Sequence, residues 1–379
     1  MNRKPFKIIS SKMIVSHRPR TPSPTFLDPL SNSFDSLNLS PTSSSYNPLN
    51  TPTLPFAYDR RLHHWVRISP SHQPPPHPTG KPIQFFTWNL NISTPYSHER
   101  AYTLLNHIRK TCAHSTPAII NLQGIDLNAL TTILTHSWVR EFFQLSDIEP
   151  VDRCCYFTLT LVSHSLPVTK VLRVPFKRSN MNRDVLVVDI KLERNPRGYP
   201  SYTSIDSMIP GGVLRVANVH LESTVDGFLE RPYQLQTVAR LLSQPHVVAG
   251  IVGGDLNALC REDHRLPELN GLRDAFHRDE GRAVVGPRYK DIEEEMGYTW
   301  GLERMSRVPP MRRDKVLYIG DVGFARDRTG RIVTRVGARL TCEVGGRGYV
   351  PVSEHCGLMT QIVVGERRKR RREERILYV

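Results

Sequence analysis

The sequence predicts a mixed α/β domain built from packed β-sheets with helices against them. Three observations carry that expectation. Short apolar runs recur between residues 82 and 365, bounded by turn residues, as strands are. Segments with apolar residues at helical spacing lie between some of these runs. Four of the runs end in polar residues of the kinds that handle phosphate or metal, a pattern suited to a site along one sheet edge. No internal repeat is present.

Residues 1–80 are expected to be disordered. They hold fourteen of the thirty prolines, among Ser, Thr and Asn, and bury too little apolar surface to offset their ordering entropy. Tyr58 to Val66 is the exception, expected to lean on the domain that follows. The domain is assigned to residues 81–365. Ile83–Trp88 reads as a strand. His98–Cys112 reads as a helix with Ala101, Leu104, Leu105 and Ile108 on one face. Ala118–Leu122 reads as a buried strand, and Asn128–Phe142 as a helix. Further strands are predicted at Tyr156–Val162, Val185–Ile190, Val213–Val219, Val247–Gly253, Lys315–Ile319, Ile332–Val336 and Cys356–Val364, with a helix over Gln234–Leu242. Residues 366–379 form a basic tail. Its run Arg367-Arg-Lys-Arg-Arg-Arg372 reads either as a nuclear-import or nucleic-acid-contact signal or as a solvated end.

At 379 residues and 39% hydrophobic, the chain can form one large core with tails. Its net charge of +15 suggests a polyanionic partner. Residues 1–80 contribute +6 (nine Lys/Arg, three Asp) and residues 366–375 contribute +4 (seven Lys/Arg, three Glu), leaving +5 for the middle. The domain is therefore only mildly basic. The six cysteines show no paired spacing and read as free thiols of an intracellular protein. No run of about 18 apolar residues occurs, so no membrane span is expected. The basic first twenty residues fit a mitochondrial presequence or an ordinary basic end.

The four polar strand ends are Thr87-Trp88-Asn89, Asn218-Val-His-Leu-Glu-Ser223, Gly253-Gly-Asp-Leu-Asn257 and Ser353-Glu-His355. Singly each has an ordinary reading: Gly-Asp-x-Asn as a turn, a lone His as a hydrogen-bonded structural residue, Asn89 as a cap. Together they match the needs of phosphodiester hydrolysis, which requires an activated water, charge neutralisation and help for the leaving oxygen. Asp255 can orient or deprotonate water. Asn89 and Asn257 can hold a phosphate oxygen or a metal-bound water. His220 and His355 can donate to developing negative charge. Mg²⁺ needs only one or two carboxylates beside its waters, and Mn²⁺ suits the same set.

At these residues the chain resembles the endonuclease/exonuclease/phosphatase superfamily, most like its 5′-tyrosyl-DNA phosphodiesterase branch. Leu122-Gln123, Asn180-Met-Asn-Arg-Asp-Val-Leu186, Arg231–Leu235, Tyr298-Thr-Trp300 and Asp314-Lys-Val-Leu-Tyr318 extend the likeness over about 280 residues. The resemblance implies a DNase I-like four-layer sandwich, two packed mixed sheets flanked by helices, with the site at their shared edge. It implies Asp255, His220, His355, Asn257 and Asn89 as catalytic residues, and Ser223, Arg231 and Trp300 as phosphate or substrate contacts. Trp300 reads equally as a stacking face or a core residue. Glu354 and Asn89 are the implied metal ligands. Two departures stand out. Gly124 occupies the position where the family has a metal-binding Glu, and Glu354 replaces an Asp. Asp126 can take over the missing ligand from a shifted position, or cap the helix that follows. A softer departure is Ala258-Leu259-Cys260, with Arg261 displaced, where the branch carries an Arg.

These readings imply a Mg²⁺-dependent phosphodiesterase of DNA repair, nuclear with a mitochondrial alternative and monomeric. Its substrate would be DNA carrying a 5′-linked tyrosine or peptide. A second reading, favoured by Gly124, is a degenerate nucleic-acid or phosphate-binding protein without turnover. A third is a phosphatase of lipid or sugar phosphates.

Overall fold

A computed structural model describes residues 50–91, 95–113, 115–150, 157–193, 212–276, 297–302, 308–327, 330–346 and 348–365. In chain order the elements are strands β1 (Phe56–Asp59), β2 (His64–Arg67) and β3 (Pro82–Asn89), then helix α1 (Ser97–Thr111) and β4 (Ala118–Ile125). Helices α2 (Leu127–Thr135) and α3 (Ser137–Phe142) follow, then β5 (Phe143–Leu145), β6 (Phe157–Ser163), β7 (Val168–Pro175), β8 (Asp184–Lys191) and β9 (Val213–His220). Next come α4 (Arg231–Leu242), β10 (Val247–Asp255), α5 (Arg261–Leu269), β11 (Arg273–Asp274), β12 (Asp314–Gly320) and β13 (Val322–Ala325). The last are β14 (Val333–Val336), β15 (Thr341–Glu343), β16 (Tyr349–Pro351) and β17 (Gly357–Val364).

The strands form two large mixed sheets. The first runs β13-β17-β3-β4-β6-β5-β1-β2, with β14 also on β17, and the second runs β11-β12-β10-β9-β8-β7. Each contains one parallel pair, β3 with β4 and β9 with β10, joined by crossovers through α1 and α4. Apolar side chains from both inner faces, among them Ile83, Phe85, Leu186, Val216, Ile251 and Val316, make the core between the sheets. The outer face of the first sheet (Phe86, Trp88, Ile120, Leu122) packs on α1 to α3. The outer face of the second (Val187, Ala217, Val219, Val252) packs against α4 residues Leu235, Val238 and Leu242. The four layers follow from the period-two alternation of strands whose two faces are both buried.

Several expectations change. Residues 50–80, assigned to the disordered segment, carry the β1–β2 hairpin, which pairs with β5 and belongs to a compact unit starting at Asn47. The Arg67 guanidinium covers the Phe56 ring and Arg140 covers Tyr58, so these aromatics have partners that local composition does not reveal. The single helix predicted over 128–142 is two, broken at His136, which adopts extended φ/ψ of −68° and 122°. Thr131, Thr132 and Thr135 return their hydroxyls to carbonyls four residues back, which weakens continuation. Strands β5, β7, β11, β13, β15 and β16 lie outside the runs expected as strands. Residues 1–49 and the tail at 366–379 lie outside the described residues.

Candidate active site

Along the layer between the sheets, inward-facing side chains change character in a regular order. On β3 they run Ile83, Phe85, Thr87, Asn89, and on β9 Leu214, Val216, Asn218, His220. On β10 they run Ala249, Ile251, Gly253, Asp255, and on antiparallel β12, read backwards, Tyr318, Val316, Asp314. β3, β9 and β10 thus pass from apolar to uncharged polar or small residues to a polar end, and β12 passes directly from Val316 to Asp314. The middle stretch is a hydrogen-bonded brace. Gln123 donates to Thr87 Oγ1 (3.0 Å) and Asn218 Oδ1 (2.8 Å), while Asn121 donates to the Ala217 and Gly253 carbonyls (3.1 and 3.2 Å). A buried polar set of this kind is tolerable only when its members find partners, and it fixes the register of one sheet on the other.

The strand ends then come together. His220 and Asp314 are both the cross-strand partners of Asp255, so three adjacent strands place them in one row. His355, in the turn before β17, bridges to that row. Its Nδ1 lies 2.7 Å from Asp314 Oδ2 and its Nε2 3.7 Å from Asp255 Oδ2. His220 Nε2 lies 3.5 Å from the same Asp255 oxygen. From the other sheet Asn89 donates to Asp255 Oδ2 at 2.9 Å, and its own Oδ1 accepts from the Asn91 N–H at 2.9 Å. The Asn257 N–H donates to Asp255 Oδ1 (2.8 Å), and its side chain to the Leu221 carbonyl (2.9 Å) and Ser223 Oγ (3.2 Å). All of these except Ser223 and Asn91 are buried.

The environment separates the protonation states. Burial works against charging His355, but the carboxylates of Asp314 and Asp255 outweigh it and hold its pKa above the ordinary histidine value. Burial, with Asp255 nearby, raises the Asp314 carboxyl above its ordinary value, and the His355 ring 2.7 Å away opposes that rise. Burial, with Arg183 nearby, pushes His220 down to about 3, so it is a neutral imidazole. Burial alone would raise Asp255, but His355, His220 and the Asn257 N–H hold it below its ordinary value. A histidine pushed down, a carboxylate held down and a histidine pushed up therefore stand in one cluster.

Asp255, Asp314 and His355 offer ligand atoms all within 4.8 Å of one another. Asp314 Oδ1 is buried with no hydrogen-bond partner among the described residues, an orphaned acceptor that a divalent cation would satisfy. The donor set fits a small hard cation through its two carboxylates. His355 can join only after losing its proton.

The expected residues divide. Asn89, His220, Asp255, Asn257 and His355 converge, with Ser223 at the edge. Arg231, expected on substrate, is buried and committed elsewhere: Nε and Nη2 pair with Asp263 (2.8 and 2.9 Å), and Nη1 donates to the carbonyls of Glu222 and Thr224. Asp126, expected as a substitute ligand, caps α2, accepting the Ala129 N–H at 2.7 Å. Glu354 lies outside the three-residue cluster and accepts from Trp300 Nε1 at 3.3 Å. The Trp300 ring is covered on one face by the Arg313 guanidinium, 3.6 Å from the centroid, which takes a surface expected to receive a base.

Gly124 is more than an absent side chain. It has φ of +62°, within a register shift between Leu122 and Ile125 in the β4–β6 pairing. A Cβ there would stand 2.6 Å from Asn89 Oδ1. The bulge and the bare α-carbon let Asn89 approach.

The sequence assigns no site role to Asp314, which it shows only as the first residue of Asp314-Lys-Val-Leu-Tyr318, and none to Arg313. The available signal was a carboxylate opening an apolar strand. In an antiparallel neighbour of β10, that start lies across from the end carrying Asp255.

No family model matches the sequence, and no curated protein matches it either. Solved structures do match. Truncated TDP2 of Caenorhabditis elegans is 19% identical, with 76% of this chain and 99% of that chain covered and a TM-score of 0.52. A humanized D. rerio TDP2 gives 16%, 74%, 98% and 0.53. An endonuclease/exonuclease/phosphatase family protein from Bacteroides thetaiotaomicron gives 11%, 75%, 98% and 0.52. The fold of this chain is that of these proteins.

Proposed function

Starting from that fold, we propose that the chain hydrolyses phosphodiesters of nucleic acid with the help of a divalent cation. The substrate class is DNA bearing a 5′-linked tyrosine or peptide. One observation carries the reading: the row His220–Asp255–Asp314, closed by His355, facing Asn89 across the sheets. Asp255 is the group for the water. It is ionised, buried and held at both oxygens by Asn89 and the Asn257 N–H, so it can orient the nucleophile and accept its proton. His355, charged and backed by Asp314, donates Nε2–H to the phosphoryl or leaving oxygen as negative charge grows there. Neutral His220 donates without adding charge. Asn89 and Asn257 are positioning residues for Asp255. Asp255 and Asp314 would hold Mg²⁺ or Mn²⁺, which would supply charge neutralisation at the phosphoryl oxygens. The sequence resemblance to the 5′-tyrosyl-DNA phosphodiesterase branch stands beside the fold likeness to TDP2 in choosing the substrate.

The test is tyrosine release from a 5′-phosphotyrosyl oligonucleotide, with Mg²⁺, with a chelator, and in His355→Ala. The expected result is cation-dependent release, reduced in the variant by roughly 10²- to 10⁴-fold. The second reading, a phosphate-binding protein without turnover, is favoured by the geometry at Gly124, where the family's metal-binding Glu has no room. It predicts saturable binding of the same oligonucleotide with no release under any cation.

A further inference from the structure

Arg313 stands one residue before Asp314, where β12 begins. Its N–H and that of Asp314 both donate to Thr299 Oγ1 (3.1 and 3.0 Å), which pins this segment beside the row of titratable groups. Its guanidinium lies over Trp300, and the Trp300 indole is itself tied to Glu354. The plane of the fork is thereby set. Asp255, Asp314 and Glu354 are the carboxylates acting on it electrostatically.

Arg313 is half-buried, and four of the fully buried arginines are each matched by a carboxylate. Arg173 pairs with Asp147 (2.9 Å), Arg215 with Asp189 (2.6 Å), Arg231 with Asp263 (2.8 Å) and Arg312 with Asp274 (2.5 Å). Arg313 differs. Among the described residues its side chain's one hydrogen bond is a long contact from Nη2 to the Met311 sulfur at 3.9 Å, and Nε is buried without a partner. A guanidinium whose Nε has left water without gaining an acceptor is costly unless a ligand completes it. Its parallel N–H donors match two oxygens of one phosphoryl group, a fit that an ammonium does not reproduce. Two features that the resembled family uses near the phosphate are missing here. The metal-ligand position is Gly124, and the Arg after Asp255-Leu-Asn257 is replaced by Ala258-Leu259-Cys260, with Arg261 exposed at the start of α5.

We propose that Arg313 binds the phosphoryl group at a nucleic-acid 5′ end as a bidentate donor, oriented by its stack on Trp300. The proposal rests on the phosphodiesterase reading above and names the residue that carries its substrate contact. It also separates the roles of two neighbours at the start of β12: Asp314 serves His355, and Arg313 serves the ligand.

The experiment measures calorimetric affinity of the full chain for a short oligonucleotide with and without a 5′-phosphate, in Arg313→Gln and Arg313→Lys, alongside tyrosine release. In the native protein the 5′-phosphate should tighten binding. Arg313→Gln should lose roughly 10- to 100-fold of that preference, the size of a lost hydrogen bond to a charged group, with unphosphorylated binding unchanged. Arg313→Lys should recover only part of it, and in turnover the Gln variant should raise KM more than it lowers kcat. Thermal melting of both variants shows that they are folded. If Arg313→Gln keeps the native preference while the native protein releases tyrosine, the proposal fails and the phosphodiesterase reading stands. If the native protein neither prefers the 5′-phosphate nor releases tyrosine, both fail together.

Discussion

Gly124 shows how one backbone position sets what can stand beside Asn89. Reading it as a simple deletion of a metal ligand suggests that a Glu would restore the site. The backbone argues otherwise. A non-glycine residue at φ of +62° costs about 1–2 kcal/mol, and the new Cβ would press on Asn89, which holds Asp255. Gly124→Glu should therefore destabilise the fold by about 1–3 kcal/mol and should not tighten cation binding. Denaturant midpoints and cation titration check both, and tighter binding in the variant would refute the argument. The same close view explains which residues were legible. Asp255, Asn257, His220 and His355 sit at strand ends, and strand ends follow from apolar periodicity. Arg231 was misassigned because its partner, Asp263, is 32 residues away and on another helix. Asp126 admitted two readings, and the Ala129 N–H chose the cap.

Strands and helices add constraints that single residues do not show. Strand β10 carries Gly253 two positions before Asp255, facing the first sheet. A Cβ at Gly253 would meet the Phe85 ring at 2.5 Å and Thr87 Cβ at 3.0 Å, so glycine sets how near the sheets come beside the site. Gly253→Val should cost about 1–3 kcal/mol by overpacking and should lower tyrosine release by parting Asn89 from Asp255. Adding Phe85→Leu should restore part of both; no recovery in the double variant would count against sheet spacing as the cause. Helices α4 and α5 are joined by the buried Arg231–Asp263 pair. Burial alone would raise Asp263, but its hydrogen bonds from Arg231 and from the Leu259 N–H hold its pKa below the ordinary value. A carboxyl depressed in the folded state stabilises fully above about pH 4, its unfolded value, and loses that contribution as pH falls through the folded value. Asp263→Asn should thus be less stable by about 3–5 kcal/mol at pH 7, because it leaves a buried guanidinium unpaired. The gap should narrow below about pH 4. A gap equal at pH 7 and pH 3 would refute this account.

Across the molecule, the two sheets share one gradient, from the apolar core through the Asn121–Gln123–Asn218 brace to the row His220–Asp255–Asp314. The brace lies in the layer that also orients the site, so the stability of the sandwich and the geometry of the row depend on each other. The mildly basic charge of the domain agrees with a phosphate ligand, but it does not say where that ligand binds. The location comes from a row assembled from β9, β10 and β12 and from the turn before β17.

Periodicity settled the mixed α/β class and most of the strands, because alternation of apolar side chains is a local property of the chain. It also exposed the polar strand ends, because residue types suited to phosphate stand out where a core strand stops. Pairing across long separations was beyond it. That His220 and Asp314 both flank Asp255, that Arg231 belongs to Asp263 and Arg313 to Trp300, and that Gly124 must bend are facts of contact between distant segments. The reason is physical: a side chain's role depends on which donor, acceptor or charge folding places within a few ångströms, and sequence order carries that only where neighbours in space are also neighbours along the chain.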